Sequence, residues 1–323
     1  MTELQLGNKN VGDGHPAFII AEIGINHQGD VSIAKNLIQK AKECGADAVK
    51  LQKRSISRIL TKSGLEMAYD NRNSFGKTYG EHKIALELSE ADYHELNTYC
   101  KKMDIIFCAS GWDEESIDFL DEMGIPFFKM ASADLTNFPL LVHTAKKNKP
   151  MILSTGMADM KMVQAAYSQV NQINNQIAIL QCTSTYPSAF SEVHLNVLQI
   201  FMKEFPDTVI GYSGHEQGIA IPPAAVALGA KIIERHFTLD RTMKGGTMPH
   251  PWNRRDLPKW YGIYAILKKQ WAAPKRRYRN LKHRYLENWL RVLFRLWTLI
   301  LAILLRLTCS LQKVLVLVFL PCV

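Results

Sequence analysis

The sequence predicts a (β/α)8 barrel, the TIM-barrel fold, on the basis of two observations. Eight short apolar runs rich in β-branched residues recur along residues 1–248, and segments with helical spacing separate most of them. Continuous apolar strands that alternate with helices are typical of a parallel sheet buried on both faces. Eight such strands favour a closed barrel over an open doubly wound sheet. The 323 residues are enough to bury a core of that size.

The predicted strands are six or seven residues long and occupy, in chain order, residues 17–22, 47–52, 105–110, 126–132, 150–155, 177–183, 208–213 and 231–237. Between them, segments such as VSIAKNLIQKAKECG (31–45) have the spacing of amphipathic helices. Residues 53–88 form one long connection, which is usually either functional or disordered, and on a barrel we expect it over the catalytic face. No strand is followed by a GxGxxG or GxxxxGKS/T loop, which excludes the usual nucleotide-binding folds.

The net charge of +9 comes entirely from the C-terminal part of the chain. Residues 1–248 hold 24 Lys+Arg and 28 Asp+Glu, a net charge of −4. Residues 249–323 hold 15 Lys+Arg and 2 Asp+Glu, a net charge of +13. We therefore predict two parts, a mildly acidic barrel without a nucleic-acid surface (1–248) and a basic, leucine-rich tail (249–323).

Cysteine spacing and hydropathy indicate a cytoplasmic protein. No CxxC or CxC spacing occurs, which favours free thiols in a reducing compartment over a disulfide framework. The six cysteines are Cys44, Cys100, Cys108, Cys182, Cys309 and Cys322. The first ten residues, MTELQLGNKN, contain no apolar segment, so we expect no signal peptide. Two apolar runs of the tail, 296–305 and 314–320, are each too short for a membrane-spanning helix of about 20 residues.

Polar side chains gather where the predicted strands end, which is where the active sites of barrel enzymes form. Lys50 and Lys129 lie on strands that should be buried, and a buried lysine needs a partner for its charge. Hydroxyl groups accompany them at Ser110, Ser132, Ser154, Ser184, Tyr186 and Ser213. Together these residues predict a pocket for a small, multiply charged anion. The alternative for each lysine is an ion pair with a neighbouring carboxylate.

Two histidines follow adjacent predicted strands, and their imidazoles can converge. His215 and His236 therefore predict a divalent transition-metal site with open positions for substrate, although a strand-end histidine can also serve only as a hydrogen-bonding residue. Glu22 ends the first strand and is interpreted as a general base or sugar ligand, with an ion-pair partner as the alternative. His27 is a surface or a substrate-contact residue, and Cys182 is expected in the core.

Seven segments resemble the N-acetylneuraminate (sialic acid) synthase family. They are FIIAEIGINHQGD, GADAVKLQK, PFFKMASAD, ILSTGM, LQCTSTYP, GYSGHE and ERHFTLD. The segments WDEESIDFLDEMGIPFFK and GKTYGEHK are most similar to its animal N-acylneuraminate-9-phosphate synthase branch. The resemblance covers residues 16–245 in order.

The resemblance implies condensation of phosphoenolpyruvate with N-acetylmannosamine or its 6-phosphate, with Mn²⁺ or Mg²⁺ as the metal and release of phosphate. Lys50, Lys129 and the serines at 110, 132, 154 and 213 would then hold phosphate and carboxylate, and His215 and His236 the metal. Gln52, Asp134 and Tyr186 would line the sugar side. The family often has asparagine where this chain has Ser184. Family members form homodimers in which a C-terminal antifreeze-like domain supplies an arginine to the partner's site.

The family pattern stops after residue 245, and neither the eighth helix nor the antifreeze-like domain is visible in the sequence. Translating residues 291–299 and 247–252 from one base earlier allows segments typical of the family. We therefore predict a frame slip or gene-model error between Lys244 and Met248, which the nucleotide sequence would test. The alternatives are a membrane-surface anchor or a helix that covers the barrel. The protein itself would then be either the enzyme, an inactive truncated product, or a tail-mediated membrane- or partner-binding protein.

Overall fold

Eight parallel strands and the helices between them make up most of the computed structural model, which describes residues 2–71, 73–240, 243–244 and 252–253. The barrel strands are β3 (Phe18–Gly24), β4 (Ala48–Lys53), β5 (Ile106–Gly111), β6 (Phe128–Met130), β7 (Met151–Ser154), β8 (Ile177–Cys182), β9 (Val209–Gly214) and β10 (Ile232–Thr238). All eight predicted strands are therefore confirmed. The chain also forms an N-terminal hairpin, β1 (Glu3–Leu6) and β2 (Lys9–Gly12), and a short strand β11 (Trp252–Asn253) that pairs in parallel with β10.

Hydrogen-bonded neighbours run in the order β5-β4-β3-β10-β9-β8-β7-β6. Strands β5 and β6, at the two ends of this order, lie side by side. The sheet is thus a nearly closed (β/α)8 barrel, as the sequence predicted. Its strands are buried along almost their whole length, which explains why they appear in the sequence as continuous apolar runs and not as alternating patterns.

The helices lie between the strands, and seven of the ten that the structure describes begin at a side chain that accepts a hydrogen bond from a backbone amide of the first turn. They are α1 (Val31–Glu43), α2 (Ile56–Ile59), α3 (Lys62–Glu66), α4 (Tyr79–Ala85), α5 (Glu90–Lys102), α6 (Glu114–Glu122), α7 (Phe138–Ala145), α8 (Met160–Asn171), α9 (Val197–Glu204) and α10 (Ile221–Ala227). In α1, the Asp30 side chain accepts hydrogen bonds from the first-turn amides of Ser32 and Ile33. The same helix buries Ala34, Leu37, Ile38 and Ala41 against the sheet, at helical spacing.

The interior of the barrel changes from apolar to polar along each strand. Inward-facing side chains near the strand starts form an apolar cluster that includes Ile20, Ala48, Cys108, Ile152, Ala178, Leu180 and Ile232. The inward positions two residues further along β3, β4 and β10 are Glu22, Lys50 and Glu234, all buried. Because side chains alternate across a strand, a step of two residues keeps the same face and moves the side chain towards the C-terminal mouth. The polar site therefore stands on an apolar floor.

The N-terminal hairpin closes the opposite end of the barrel and was not predicted from the sequence. Leu4, Leu6 and Val11 pack with the inward-facing apolar cluster. The turn between the two strands consists of Gly7 and Asn8, with Gly7 at φ +63°, a conformation that favours glycine. This Gly-Asn pair between short strands was the signal available in the sequence.

We expect Leu6→Ala to lower the free energy of unfolding by about 2–5 kcal/mol, because it leaves a cavity beneath the barrel floor. Leu6 is 0% exposed. Urea unfolding of the full chain measures the effect. Gln5→Ala, on the exposed face of the same strand, is the matched control and should change stability by less than about 0.5 kcal/mol. Equal losses for both variants would contradict the packing role of the hairpin.

The long connection predicted at residues 53–88 contains three short helices, α2 to α4. Helix α4 begins with a capping box in which Thr78 and Glu81 satisfy each other's backbone amides. Within the described part of the chain, no helix is long and apolar enough to cross a membrane. The predictions for the eighth helix and for the tail at 249–323, including the frame slip, fall almost entirely outside the described residues.

Candidate active site

A cavity of about 420 Å³ opens at the C-terminal ends of the barrel strands. Of the residues that the sequence singled out, the structure brings the following to its wall: Glu22, Lys50, Gln52, Ser110, Lys129, Ser132, Ser154, Ser184, Tyr186, Ser213, His215 and His236. Their convergence follows from the parallel sheet, since the carboxyl ends of all eight strands meet at one mouth. Asp134 is not brought to this wall. It lies in a 3-10 turn, Ser132–Asp134, and borders a separate surface cavity.

Lys50 and Glu22 form a buried ion pair on one side of the cavity. Lys50 Nζ lies 2.5 Å from Glu22 Oε2 and donates a hydrogen bond of 3.1 Å to Ser110 Oγ. Gln52 Nε2 donates to the other oxygen of Glu22 at 2.7 Å. Burial opposes the charge of Lys50, but the carboxylates of Glu22 and Glu234 outweigh it and raise the pKa of Lys50. Burial raises the pKa of Glu22.

Lys129 and Glu234 form a second buried pair, with Lys129 Nζ 3.5 Å from Glu234 Oε1. Lys129 also donates to the carbonyl of Met130 at 3.1 Å, and Ser213 Oγ donates to Glu234 Oε1 at 3.0 Å. Burial lowers the pKa of Lys129. Burial would raise the pKa of Glu234, but the charges of Lys129 and Lys50 outweigh it and lower that pKa.

Both lysines therefore have carboxylate partners, which was the alternative left open for them from the sequence. The anion pocket stays a prediction, and the same cavity wall holds polar groups without hydrogen-bond partners. Within the described residues, Ser154 Oγ and Glu234 Oε2 are buried and make no hydrogen bond. Buried polar atoms are normally paired, so unpaired ones at a cavity wall mark where a ligand completes the site.

The two histidines lie side by side, with ring centroids 5.6 Å apart. Burial lowers the pKa of both, most strongly that of His236, so both imidazoles are neutral at pH 7. His215 Nδ1 lies 2.7 Å from the carbonyl oxygen of Thr183, which can only accept. Nδ1 therefore carries the proton, and the lone pair is on Nε2.

This arrangement fits a divalent metal. A ligating histidine usually donates its other ring N–H to a carbonyl or carboxylate, and Thr183 supplies that carbonyl for His215. The described residues contain no group of three His, Cys, Asp or Glu side chains placed to hold a metal ion. Two protein ligands would leave the remaining positions to substrate and water.

Tyr186 covers the histidine pair from the rim. Its ring centroid is 4.1 Å from that of His215 and 6.1 Å from that of His236, and the peptide bond Tyr186–Pro187 is cis. Cys182 is buried, as predicted, but it faces the barrel interior and its Sγ lies 3.9 Å from His215 Nδ1. His27 is 1% exposed and does not line the cavity, and burial lowers its pKa to about 4.

Sequence reasoning missed Glu234, Arg54, Lys83 and Trp112, which all line the cavity. Glu234 stands two residues before His236 on β10, and Arg54 two after Gln52 beside β4, so the two-residue period of a strand was a usable signal for both. Lys83 belongs to α4, far away in sequence, and no local pattern places it at the mouth.

The fold and the site define a TIM-barrel protein with a polar, charge-paired ligand cavity at the C-terminal mouth of the barrel. Residues 37–261 match the NeuB family, more than half of the chain, and the chain belongs to that family. This match extends past residue 245, after which we predicted the family pattern to stop.

Curated relatives agree with this assignment. The chain is 52% identical over 235 residues to the human N-acetylneuraminate-9-phosphate synthase. The aligned region covers 73% of this chain and 66% of the human protein. It is 44% identical over 229 residues to the Drosophila melanogaster protein of the same name. That aligned region covers 71% of this chain and 62% of the Drosophila protein. The chain thus spans slightly less than two thirds of the length of these relatives.

A solved structure of similar shape is the N-acetylneuraminic acid (sialic acid) synthetase from Leptospira borgpetersenii serovar Hardjo-bovis in complex with citrate. It superposes with a TM-score of 0.77 at 29% identity, covering 91% of this chain and 98% of that one. The spore coat polysaccharide biosynthesis protein SpsE from Bacillus subtilis superposes with a TM-score of 0.71 at 34% identity. The superposition covers 85% of this chain and 76% of the SpsE chain.

Proposed function

We propose that this protein condenses phosphoenolpyruvate with N-acetylmannosamine or its 6-phosphate, giving N-acetylneuraminate or its 9-phosphate and inorganic phosphate. The observation that carries the proposal is one cavity in which two buried lysines, five serine hydroxyls and a pair of neutral histidines converge. The lysines and hydroxyls match a small anion with phosphate and carboxylate groups, and the histidines match a metal beside it.

The lysines and serines hold phosphoenolpyruvate at the bottom of the cavity. Lys50 and Ser110 approach it from one side, and Lys129 and Ser213 from the other, while Ser132 and Ser154 offer further hydroxyls. Ser132 Oγ already accepts a hydrogen bond from the amide of Gly156 at 3.0 Å, which fixes its position. Fixed donors cost little reorganisation when charge develops on the phosphate.

Carbon–carbon bond formation joins C3 of phosphoenolpyruvate to the aldehyde carbon of the open-chain sugar. Water then adds at C2, and phosphate leaves with cleavage of its C–O bond. A divalent metal, Mn²⁺ or Mg²⁺, held by His215 and His236 would supply Lewis-acid polarisation of the aldehyde. Glu22, oriented by Gln52, orients the sugar or takes up a proton, and Tyr186 limits the sugar side of the cavity.

We further propose a cytoplasmic location, supported by the four cysteines of the described region, which are all buried thiols. A homodimer is proposed by analogy with the family. For residues 249–323 we retain the frame-slip proposal, which is tested by the nucleotide sequence at codons 244–248.

The test is release of inorganic phosphate from phosphoenolpyruvate by the full chain. We expect release only when both an acceptor sugar and Mn²⁺ or Mg²⁺ are present, and we expect a chelator to abolish it. Mass spectrometry should identify the nine-carbon product or its phosphate. The inactive truncated product, which is the alternative from the sequence, predicts no sugar-dependent release under any of these conditions.

A further inference from the structure

A buried ion pair lies on the outer face of the barrel, behind the two histidines. Arg235 and Glu216 pair through Nη1 and Oε1, and they are 3% and 0% exposed. Arg235 is the residue before His236, and Glu216 is the residue after His215. The pair therefore joins the two chain segments that carry the histidines, although neither of its side chains lines the cavity.

Side-chain alternation explains why the pair and the histidines lie on opposite faces of the sheet. His236 lines the cavity, whereas its neighbour Phe237 packs in the outer apolar core, and Arg235 shares the face of Phe237. His215 also lines the cavity, and Glu216, the next residue, lies on the outer side. Side chains on the outer face can hold the backbone of a histidine without occupying space in the cavity.

The backbone ladder between β9 and β10 ends before it reaches His215. Within the described residues, the last pair in the register of these two strands is Gly214 and Arg235. Beyond this point Arg235 Nη2 donates to the carbonyl oxygen of Glu216, while Nη1 pairs with the carboxylate of the same residue. A planar guanidinium makes two such contacts at once and so fixes orientation as well as position. Arg235 thus holds the peptide just after His215.

On its other side, the backbone at His215 is held by the loop after β8. The amide of Ser188 donates to the His215 carbonyl at 3.2 Å, and Ser188 forms a parallel bridge with Glu216. Ser188 Oγ also donates to the carbonyl of Thr183 at 3.2 Å, the same carbonyl that accepts from His215 Nδ1. His215 is therefore held through both its backbone and its ring, and Arg235 supplies the link to β10.

Two neighbouring residues of β9 support the ion pair. Tyr212 Oη donates to the second carboxylate oxygen of Glu216 at 2.6 Å. At Gly214, a Cβ would lie 2.5 Å from Glu216 Oε2 and 2.6 Å from Arg235 Nη1. Glycine at this position therefore leaves the space that the carboxylate and the guanidinium occupy.

We propose that Arg235 and Glu216 are positioning residues that set the spacing of the His215 and His236 rings, whose centroids are 5.6 Å apart. The proposal rests on the part of the proposed function that assigns a divalent metal to this histidine pair. Stability alone does not account for a buried ion pair, because the cost of taking two charges out of water offsets much of their attraction. Two imidazoles bind one metal only when both lone pairs reach it, so a shift of either backbone weakens the site.

The affinity of the full chain for Mn²⁺, measured by calorimetric titration without substrates, tests the proposal. Arg235→Lys keeps a positive charge beside Glu216, but an ammonium group lacks the rigid fork that contacts the carboxylate and the carbonyl together. We expect this variant to bind Mn²⁺ about 10- to 100-fold more weakly, the usual effect of changing a residue that supports metal ligands. The double variant Arg235→Met/Glu216→Gln leaves no isolated buried charge, and we expect the same loss of affinity from it.

Ile233→Val is the matched control. Ile233 lies two residues before Arg235 on the same face of β10 and is 0% exposed, so the variant disturbs the outer core but not the ion pair. We expect it to bind Mn²⁺ as tightly as the unsubstituted chain. The proposal fails if Arg235→Lys and the double variant both bind Mn²⁺ like this control. It also fails if the control loses as much affinity as they do.

Hydrogen exchange in the metal-free chain separates this proposal from the proposed function. Mass spectrometry of peptides covering residues 213–218 should show faster amide exchange in Arg235→Lys than in Ile233→Val, because the peptide after His215 loses its link to β10. If the unsubstituted chain bound no Mn²⁺, the proposed metal would be wrong, but faster exchange confined to this segment would still support the positioning role. Equal exchange in the two variants would overturn the proposal, whatever the metal affinity.

Discussion

Replacing His236 by alanine is expected to lower metal-dependent phosphate release by about a thousandfold or more. The reason is that the variant loses one of the two neutral imidazoles proposed to hold the metal. Polarisation of a carbonyl by a metal stabilises the transition state by several kcal/mol, and each 1.36 kcal/mol changes the rate tenfold. His215→Ala should have the same effect. Calorimetric titration with Mn²⁺ alone should show that both variants also lose metal affinity, a readout that does not depend on turnover.

His143→Ala is the control for the histidine variants. His143 lies on α7, and its Nε2 is 2.6 Å from Asp118 Oδ1, away from the cavity. We expect its metal affinity and phosphate release to match those of the unsubstituted chain. If His236→Ala and His215→Ala both bound Mn²⁺ as tightly as this control, the histidine pair would not be the metal site.

Lys129→Met is expected to abolish sugar-dependent phosphate release and to destabilise the fold by about 3–5 kcal/mol at pH 7, because it leaves the buried Glu234 carboxylate without its cation. Lys129 and Glu234 are 2% and 6% exposed. Lys129 is the largest of the charges that lower the pKa of Glu234, so without it we expect burial to raise that pKa above its value in the unfolded chain. The variant then loses unfolding free energy as pH rises from the pKa of Glu234 in the unfolded chain to its higher pKa in the folded chain. The loss of stability relative to the unsubstituted chain should therefore be smaller at pH 5 than at pH 7.

The double variant Lys129→Met/Glu234→Gln separates stability from function. Removing both charges should restore most of the unfolding free energy, since no isolated buried charge remains, but it should not restore phosphate release. Lys147→Met is the control. It removes a surface ion pair in which Lys147 Nζ lies 2.7 Å from Asp118 Oδ1, and it should lower the free energy of unfolding by no more than about 1 kcal/mol. Recovery of activity in the double variant would show that Lys129 does not bind substrate.

Most of the barrel was predictable, because a strand buried on both faces leaves a continuous apolar run in the sequence. The cavity wall was predictable for a related reason. A lysine such as Lys50 within such a run has to face a partner, and the strand ends share one mouth. The hairpin was missed because β1 and β2 are only four residues long each.

The remaining part of the site depends on distance in three dimensions. Asp134 follows a strand end directly, but the 3-10 turn carries it to another cavity. Lys83 reaches the mouth only through the fold of the long connection. Which carboxylate pairs with which lysine also required coordinates, since Glu234 and Lys129 are 105 positions apart in the printed sequence. Sequence periodicity predicts which face of a strand a side chain lies on, but it does not predict which side chain of another strand it meets across the barrel.

Within the described residues, the hairpin closes the lower end of the barrel, so ligands reach the cavity through the mouth at the C-terminal ends of the strands. A ligand held at the level of Lys50 and Lys129 lies beneath one that reaches the level of Arg54. For the proposed reaction this imposes an order of binding: phosphoenolpyruvate enters before the sugar. The phosphate released at the bottom leaves after the product above it has departed.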